Sequence, residues 1–92
     1  MKILFKTFGV LEKLIPRKEF LVPEERLSLR QFFEFLVHHY GPEVTAHLFP
    51  EGTFGSHYAI LVNGVNIRLL KGMETSLKGG DQVSIFTLVA GG

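Results

Sequence analysis

Four histidines, nine carboxylates and a Gly-Gly ending are the features of this 92-residue chain whose chemistry is worth testing first. His38 and His39 are neighbours within a helical pattern, so their side chains diverge by about 100° and cannot chelate one ion; an i, i+4 pair would be required. His47 and His57 belong to an aperiodic stretch, and all four histidines are read as surface or packing residues. Glu24 and Glu25 precede Ser28 and read as negative charge near a helix N-terminus. The other carboxylates are scattered, mostly beside turns. No Ser-His-Asp spacing, HExxH, phosphate loop or dinucleotide fingerprint occurs. The chain carries no recognisable active site of its own.

The ending is different in kind. Phe86-Thr87-Leu88-Val89-Ala90-Gly91-Gly92 runs from a strand pattern straight into small residues. With glycine at about 7% of residues, two terminal glycines arise by chance in about one chain in two hundred. Glycine has no Cβ and adopts almost any backbone conformation, so such a tail passes through a channel too narrow for other residues. It would carry the Gly92 carboxylate into the active site of another protein.

Composition limits the alternatives. Without cysteine there is no disulfide framework, no thiolate zinc site and no cysteine nucleophile, and a reducing compartment such as the cytoplasm is expected. Ten basic residues against nine acidic ones give a formal net charge of +1, and no basic run exceeds Arg17-Lys18, so no nucleic-acid partner is expected. A charge at Lys2 or Lys6 interrupts what would be a signal core, and no apolar run approaches the ~18 residues of a membrane span.

The elements that must position the tail follow from periodicity. Residues 2–8 read as a first strand leaving at Gly9, and 18–22 as a second, joined by a long, partly helical connection containing Pro16. Leu29, Phe32, Phe33, Leu36, Val37 and Tyr40 form the stripe of one amphipathic helix. Ser28 with Gln31 makes a capping-box pattern, and Gly41-Pro42 ends the helix. Residues 43–57 lose the period and read as a loop insertion. Residues 58–62 form an apolar strand, Asn63-Gly64 is a strong hairpin turn, and 65–70 read as the returning strand. Residues 82–88 make the last strand, with Val83 and Ile85 on one face and Ser84, Phe86 and Leu88 on the other. The order β-β-α-β-β-β gives one α+β domain over 1–88, followed by a flexible tail over 89–92. One helix covers one face of a sheet of about five strands. Phe86 and Leu88 would lie on the uncovered face as a partner-docking patch.

The strand order, the Leu61-Val62-Asn63-Gly64 hairpin, the Leu77-Lys78-Gly79-Gly80-Asp81-Gln82-Val83 segment and the Val89-Ala90-Gly91-Gly92 ending resemble the MoaD/ThiS family of ubiquitin-like sulfur carriers. Within it, the ending resembles the small subunit of molybdopterin synthase. The resemblance implies a mixed-sheet β-grasp fold and a chain that binds no cofactor. It also implies an E1-like enzyme that uses ATP and Mg²⁺ to adenylate Gly92, and a sulfur donor protein that converts it to a thiocarboxylate. A larger synthase subunit, or an equivalent acceptor, would then take the sulfur for molybdenum or tungsten cofactor synthesis. Gly91, Ala90 and Val89 are implied as the tail, and Phe86 as the docking aromatic. Two alternatives stay open: a ubiquitin-like modifier conjugated to lysines through Gly92, and an interaction module that is never activated.

Overall fold

The structure is a computed structural model that describes residues 1–44 and 58–87. Strand β1 (Lys2–Lys6) leads through a short helix α1 (Val10–Leu14) to β2 (Glu19–Leu21). β3 (Arg26–Ser28) runs directly into the long helix α2 (Leu29–Tyr40), and the second half holds β4 (Tyr58–Val62), β5 (Val65–Asn66), β6 (Ser76–Lys78) and β7 (Gln82–Thr87). Five strands form one sheet in the order β2-β1-β7-β4-β5, while β3 and β6 pair separately. β1 and β7 run parallel and the other neighbours antiparallel, so the main sheet is mixed.

Alternation within the strands decides which face is covered. Ile3 and Phe5 of β1, Phe20 of β2, Ile60 and Val62 of β4, and Val83 and Ile85 of β7 are all buried on the same side. They meet Leu29, Phe32, Phe33 and Leu36, the inward stripe of α2. Phe5, Phe20 and Phe32 form an aromatic triad in which each pair of ring centroids is 5.8 Å apart and near edge-to-face, joining two strands to the helix. Leu11 and Ile15 of the β1–β2 connection also enter this core.

The helix is bounded as its sequence predicts. Ser28 Oγ accepts from the Gln31 amide at 3.1 Å and Gln31 Oε1 accepts from the Ser28 amide at 2.8 Å, a complete capping box. At the other end the Gly41 amide donates to the Val37 carbonyl, with Gly41 at φ 90°. Val37 and Tyr40 pack against the core without full burial.

Three expectations change. The returning strand expected over 65–70 stops at Asn66, whose Oδ1 accepts from the Arg68 amide at 2.9 Å and starts a 3₁₀ turn over Ile67–Leu69. Asparagine offers the backbone a local partner in place of the ladder, and the turn buries Ile67. Residues 76–78, to which the sequence reading assigned no strand, form β6, paired with a β3 that the sequence reading did not separate from the helix lead-in. Consequently Glu24 and Glu25 precede β3, and the first turn of α2 carries no acidic residue. Most of the 43–57 insertion lies outside the described residues, although Val44 is buried in the core.

Replacing Phe20 with Ala, at 1% exposure and the centre of the triad, should cost about 3–5 kcal/mol in denaturant unfolding. Ser28→Ala should cost about 1 kcal/mol by removing the cap. A Phe20 variant within 1 kcal/mol of the parent would show that the triad is not the centre of the core.

Candidate functional site

The chain's last strand is held on both sides. β7 pairs with β1 through Leu4↔Gln82, Phe5↔Val83 and Lys6↔Ser84, and with β4 from Tyr58↔Thr87 to Val62↔Val83. Because β1 and β7 are parallel, both end at the same edge of the molecule, where β1 turns through Gly9 into α1. The backbone leading to residues 88–92 is therefore held by two ladders as far as Ser84 and by the β4 ladder as far as Thr87. Leu88, Val89, Ala90, Gly91 and Gly92 lie outside the described residues.

The start of β7 is fixed as firmly. The turn over Lys78–Asp81 places Gly80 at φ 89°, a conformation that L side chains rarely adopt. Asp81 is 95% buried: its Oδ2 accepts from the Lys78 amide at 2.9 Å and its Oδ1 accepts from Asn63 Nδ2 at 3.0 Å. Asn63 Oδ1 then accepts from the Gln82 amide at 2.9 Å, and the Asn63 amide donates to the Gln82 carbonyl at 2.8 Å. Asn63 and Gly64 both have positive φ, as the tight β4–β5 hairpin requires. One carboxylate and one carboxamide thus lock two turns together and set where β7 enters the sheet. Sequence reading found both turns and missed this link, because it joins residues 18 apart.

Phe86 projects from the face opposite α2, paired across the ladder with Ala59, and is 36% exposed. Its ring stacks on Phe8 with centroids 5.0 Å apart and planes 23° from parallel. Phe8 is 45% exposed and has the Lys6 ammonium 5.7 Å from its ring centroid. Phe86 is therefore outside the core, immediately before the tail. Phe8 was not among the residues singled out from sequence; the signal for it is the parallel register Lys6↔Ser84, which sets Phe8 beside Phe86.

The histidines do not assemble. His38 and His39 are exposed, His39 packing against Phe35 and Tyr40, while His47 and His57 lie outside the described residues. Among the described residues no group of three His, Asp or Glu side chains could hold a metal ion, and no helix is long and apolar enough to cross a membrane.

Comparison with known proteins separates these features from generic architecture. The family model described as the ThiS family matches residues 5–92, including the whole of the ending. The chain belongs to the ThiS family. It is 35% identical over 71 residues to an Archaeoglobus fulgidus protein that bears a sulfur-carrier name, covering 77% of this chain and 81% of that one. The solution structure of small archaeal modifier protein 1 from Methanosarcina acetivorans superposes with a TM-score of 0.79 at 28% identity, over 99% of this chain and 96% of that one. A chain of the Amycolatopsis orientalis BexX/CysO complex shares the fold at 20% identity, with a TM-score of 0.76 over 98% of this chain and 99% of that one. The fold is the β-grasp of ubiquitin-like carriers, and the mixed five-strand sheet under one main helix is that architecture.

Two substitutions separate the roles of the two ends of β7. Asp81→Ala removes the acceptor of two part-buried hydrogen bonds, from the Lys78 amide and from Asn63 Nδ2, and should cost about 1–3 kcal/mol in chemical denaturation. Phe86→Ala should cost less than the ~3–5 kcal/mol of a buried phenylalanine, because the ring is partly exposed. A full core-sized loss at Phe86 would show that the ring supports the fold.

Proposed function

We infer that this ThiS-family carrier is activated at Gly92 and delivers sulfur as a C-terminal thiocarboxylate, with molybdopterin-type cofactor synthesis as the destination. The observation that carries the reading is the family match over the ending, which follows a strand paired on both sides. The family match extends through Gly91-Gly92, and these follow directly from a strand held between two neighbours. A fixed strand with a glycine end is a rigid handle on a narrow probe: the domain is gripped by its surface while the last residues enter a partner's active site. The Val89-Ala90-Gly91-Gly92 sequence, which resembles the ending of molybdopterin synthase small subunits, supports the destination.

The chemistry asks little of this chain beyond the carboxylate. A free carboxylate is a poor electrophile, so the Gly92 carboxylate attacks the α-phosphorus of ATP on an E1-like partner, and pyrophosphate leaves with its Mg²⁺. The resulting acyl adenylate is attacked by hydrosulfide, which a donor protein would supply. AMP then departs and the thiocarboxylate remains. Nucleotide and metal belong to the partner. The named pairing in the BexX/CysO complex, a structure of the same fold, agrees with a carrier that works by docking. Phe86 and Phe8 would contribute to that docking face, with Leu88 continuing it.

A second reading has its own support, since the Methanosarcina relative is named a protein modifier. In that case a lysine amine attacks the same adenylate-derived carbonyl and an isopeptide bond forms in place of the thiocarboxylate. Tryptic peptides of the host proteome bearing the chain's C-terminal remnant on lysine would show it.

The purified chain, incubated with ATP and the E1-like enzyme of the same cell, should support pyrophosphate exchange. Deleting Gly92, or replacing Gly91 with Phe, should abolish exchange while leaving the thermal transition unchanged, because the described core is built from residues no later than Ile85. Exchange that survives deletion of Gly92 would place the activated group elsewhere. For the destination, the thiocarboxylated chain mixed with a large synthase subunit and the cyclic pterin precursor should yield the dithiolene product; an inert mixture points to another acceptor.

A further inference from the structure

Beside the Phe8–Phe86 stack, β1 and the α1–β2 connection enclose a groove of about 390 Å³. Its walls are apolar where Leu4, Phe8 and Pro16 contribute, and cationic where Lys6, Arg17 and Lys18 contribute. These three cations come from separate parts of the sequence and are brought together by the β1–β2 pairing, in which the Phe5 amide donates to the Lys18 carbonyl at 2.8 Å. All three are exposed, and none has an ion-pair partner among the described residues. Two carboxylates also line the groove, but Glu19 is 3.6 Å from the Lys2 ammonium, leaving Glu12 as the only other negative charge. The Arg17 guanidinium lies 5.9 Å from the Phe20 ring centroid, a contact that restricts the side chain.

We propose that this groove docks an acidic, apolar peptide segment of a partner protein, with carboxylates on Lys6, Arg17 and Lys18 and apolar side chains against Leu4, Phe8 and Pro16. Charge complementarity selects that occupant. The chain as a whole is nearly neutral at +1, so the local excess of unpaired cations is a property of this site and not of the surface at large. Arg17 offers a planar fork that holds a carboxylate through two hydrogen bonds. The location suits a docking partner: Phe8 belongs both to the groove and to the aromatic stack on Phe86, one residue before β7 ends at Thr87. A segment seated here would hold the domain at the edge from which the last residues are presented. The assignment deepens the carrier reading, on which it rests for the purpose of docking, but it can be tested without any step of activation.

The test is a titration of the ¹⁵N-labelled full chain with a synthetic peptide alternating Glu and Leu, followed by backbone amide shifts. Shifts are expected over residues 4–8 and 15–19, weakening as salt is raised. The same peptide with Lys in place of Glu, and one with Ser in place of Leu, should leave those amides unmoved. Arg17→Glu with Lys18→Glu should reduce affinity by about tenfold or more with an unchanged thermal transition. Arg17→Gln with Lys18→Gln serves the same purpose if the reversal disturbs folding. Equal binding of the Lys peptide, shifts centred elsewhere, no shifts at millimolar peptide, or affinity unaffected by the charge variants would each overturn the proposal. Groove amides that move when residues 88–92 are deleted, with no peptide present, would make the chain's own tail the occupant and overturn the assignment to a partner. Absence of pyrophosphate exchange in the separate activation assay would refute the carrier reading and leave this titration readable.

Discussion

The parallel pairing of the first and last strands is the constraint on which the rest of the structure depends. It puts β7 in the middle of the sheet, between β1 and β4, although it ends only five residues before Gly92. Terminal segments usually fray unless they are tied down. Here two ladders hold the backbone as far as Ser84 and the β4 ladder alone carries it to Thr87, while the Asp81–Asn63 link fixes where the strand begins. A parallel neighbour cannot be reached by a tight turn, so everything between β1 and β7 serves in part as the crossover that returns the chain to the centre.

That crossover also makes the two faces unequal. α2 covers one face with Leu29, Phe32, Phe33 and Leu36, and its place is set by the Phe5–Phe20–Phe32 triad. The opposite face carries Lys6, Phe86 and the buried Ser84, and Phe8 closes onto Phe86 at its end. A rigid core on one side and an aromatic, cationic surface on the other give the domain a division of labour. The covered face holds the core, and the proposed docking contacts fall on the other.

What could be read from sequence was what short-range physics determines. The helix was legible at both ends because Ser28, Gln31 and Gly41 act within one turn of it, and the Asn63-Gly64 hairpin because both positive φ values belong to adjacent residues. The outward direction of Phe86 followed from alternation with Val83 and Ile85. The β3–β6 pair was not legible, since three-residue strands are too short to show a period and their partners lie about fifty residues apart. The curtailed strand β5 was missed because a local hydrogen bond from Asn66 outcompetes an apolar pattern that continues through Leu70. Phe8, Asp81 and the cationic groove escaped for one shared reason: each acquires its role from a tertiary register. The Gly-Gly ending was legible as chemistry because its meaning is carried by composition and position alone.

The central claim is that Gly92 carries sulfur. Intact mass of the untagged chain, purified from its own cells, tests it most directly. A population heavier by the replacement of one oxygen with sulfur, localised to the C-terminal peptide, is the expected result. A chain that shows only the unmodified mass, even after incubation with ATP, a sulfur source and the E1-like enzyme of the same cell, would contradict it.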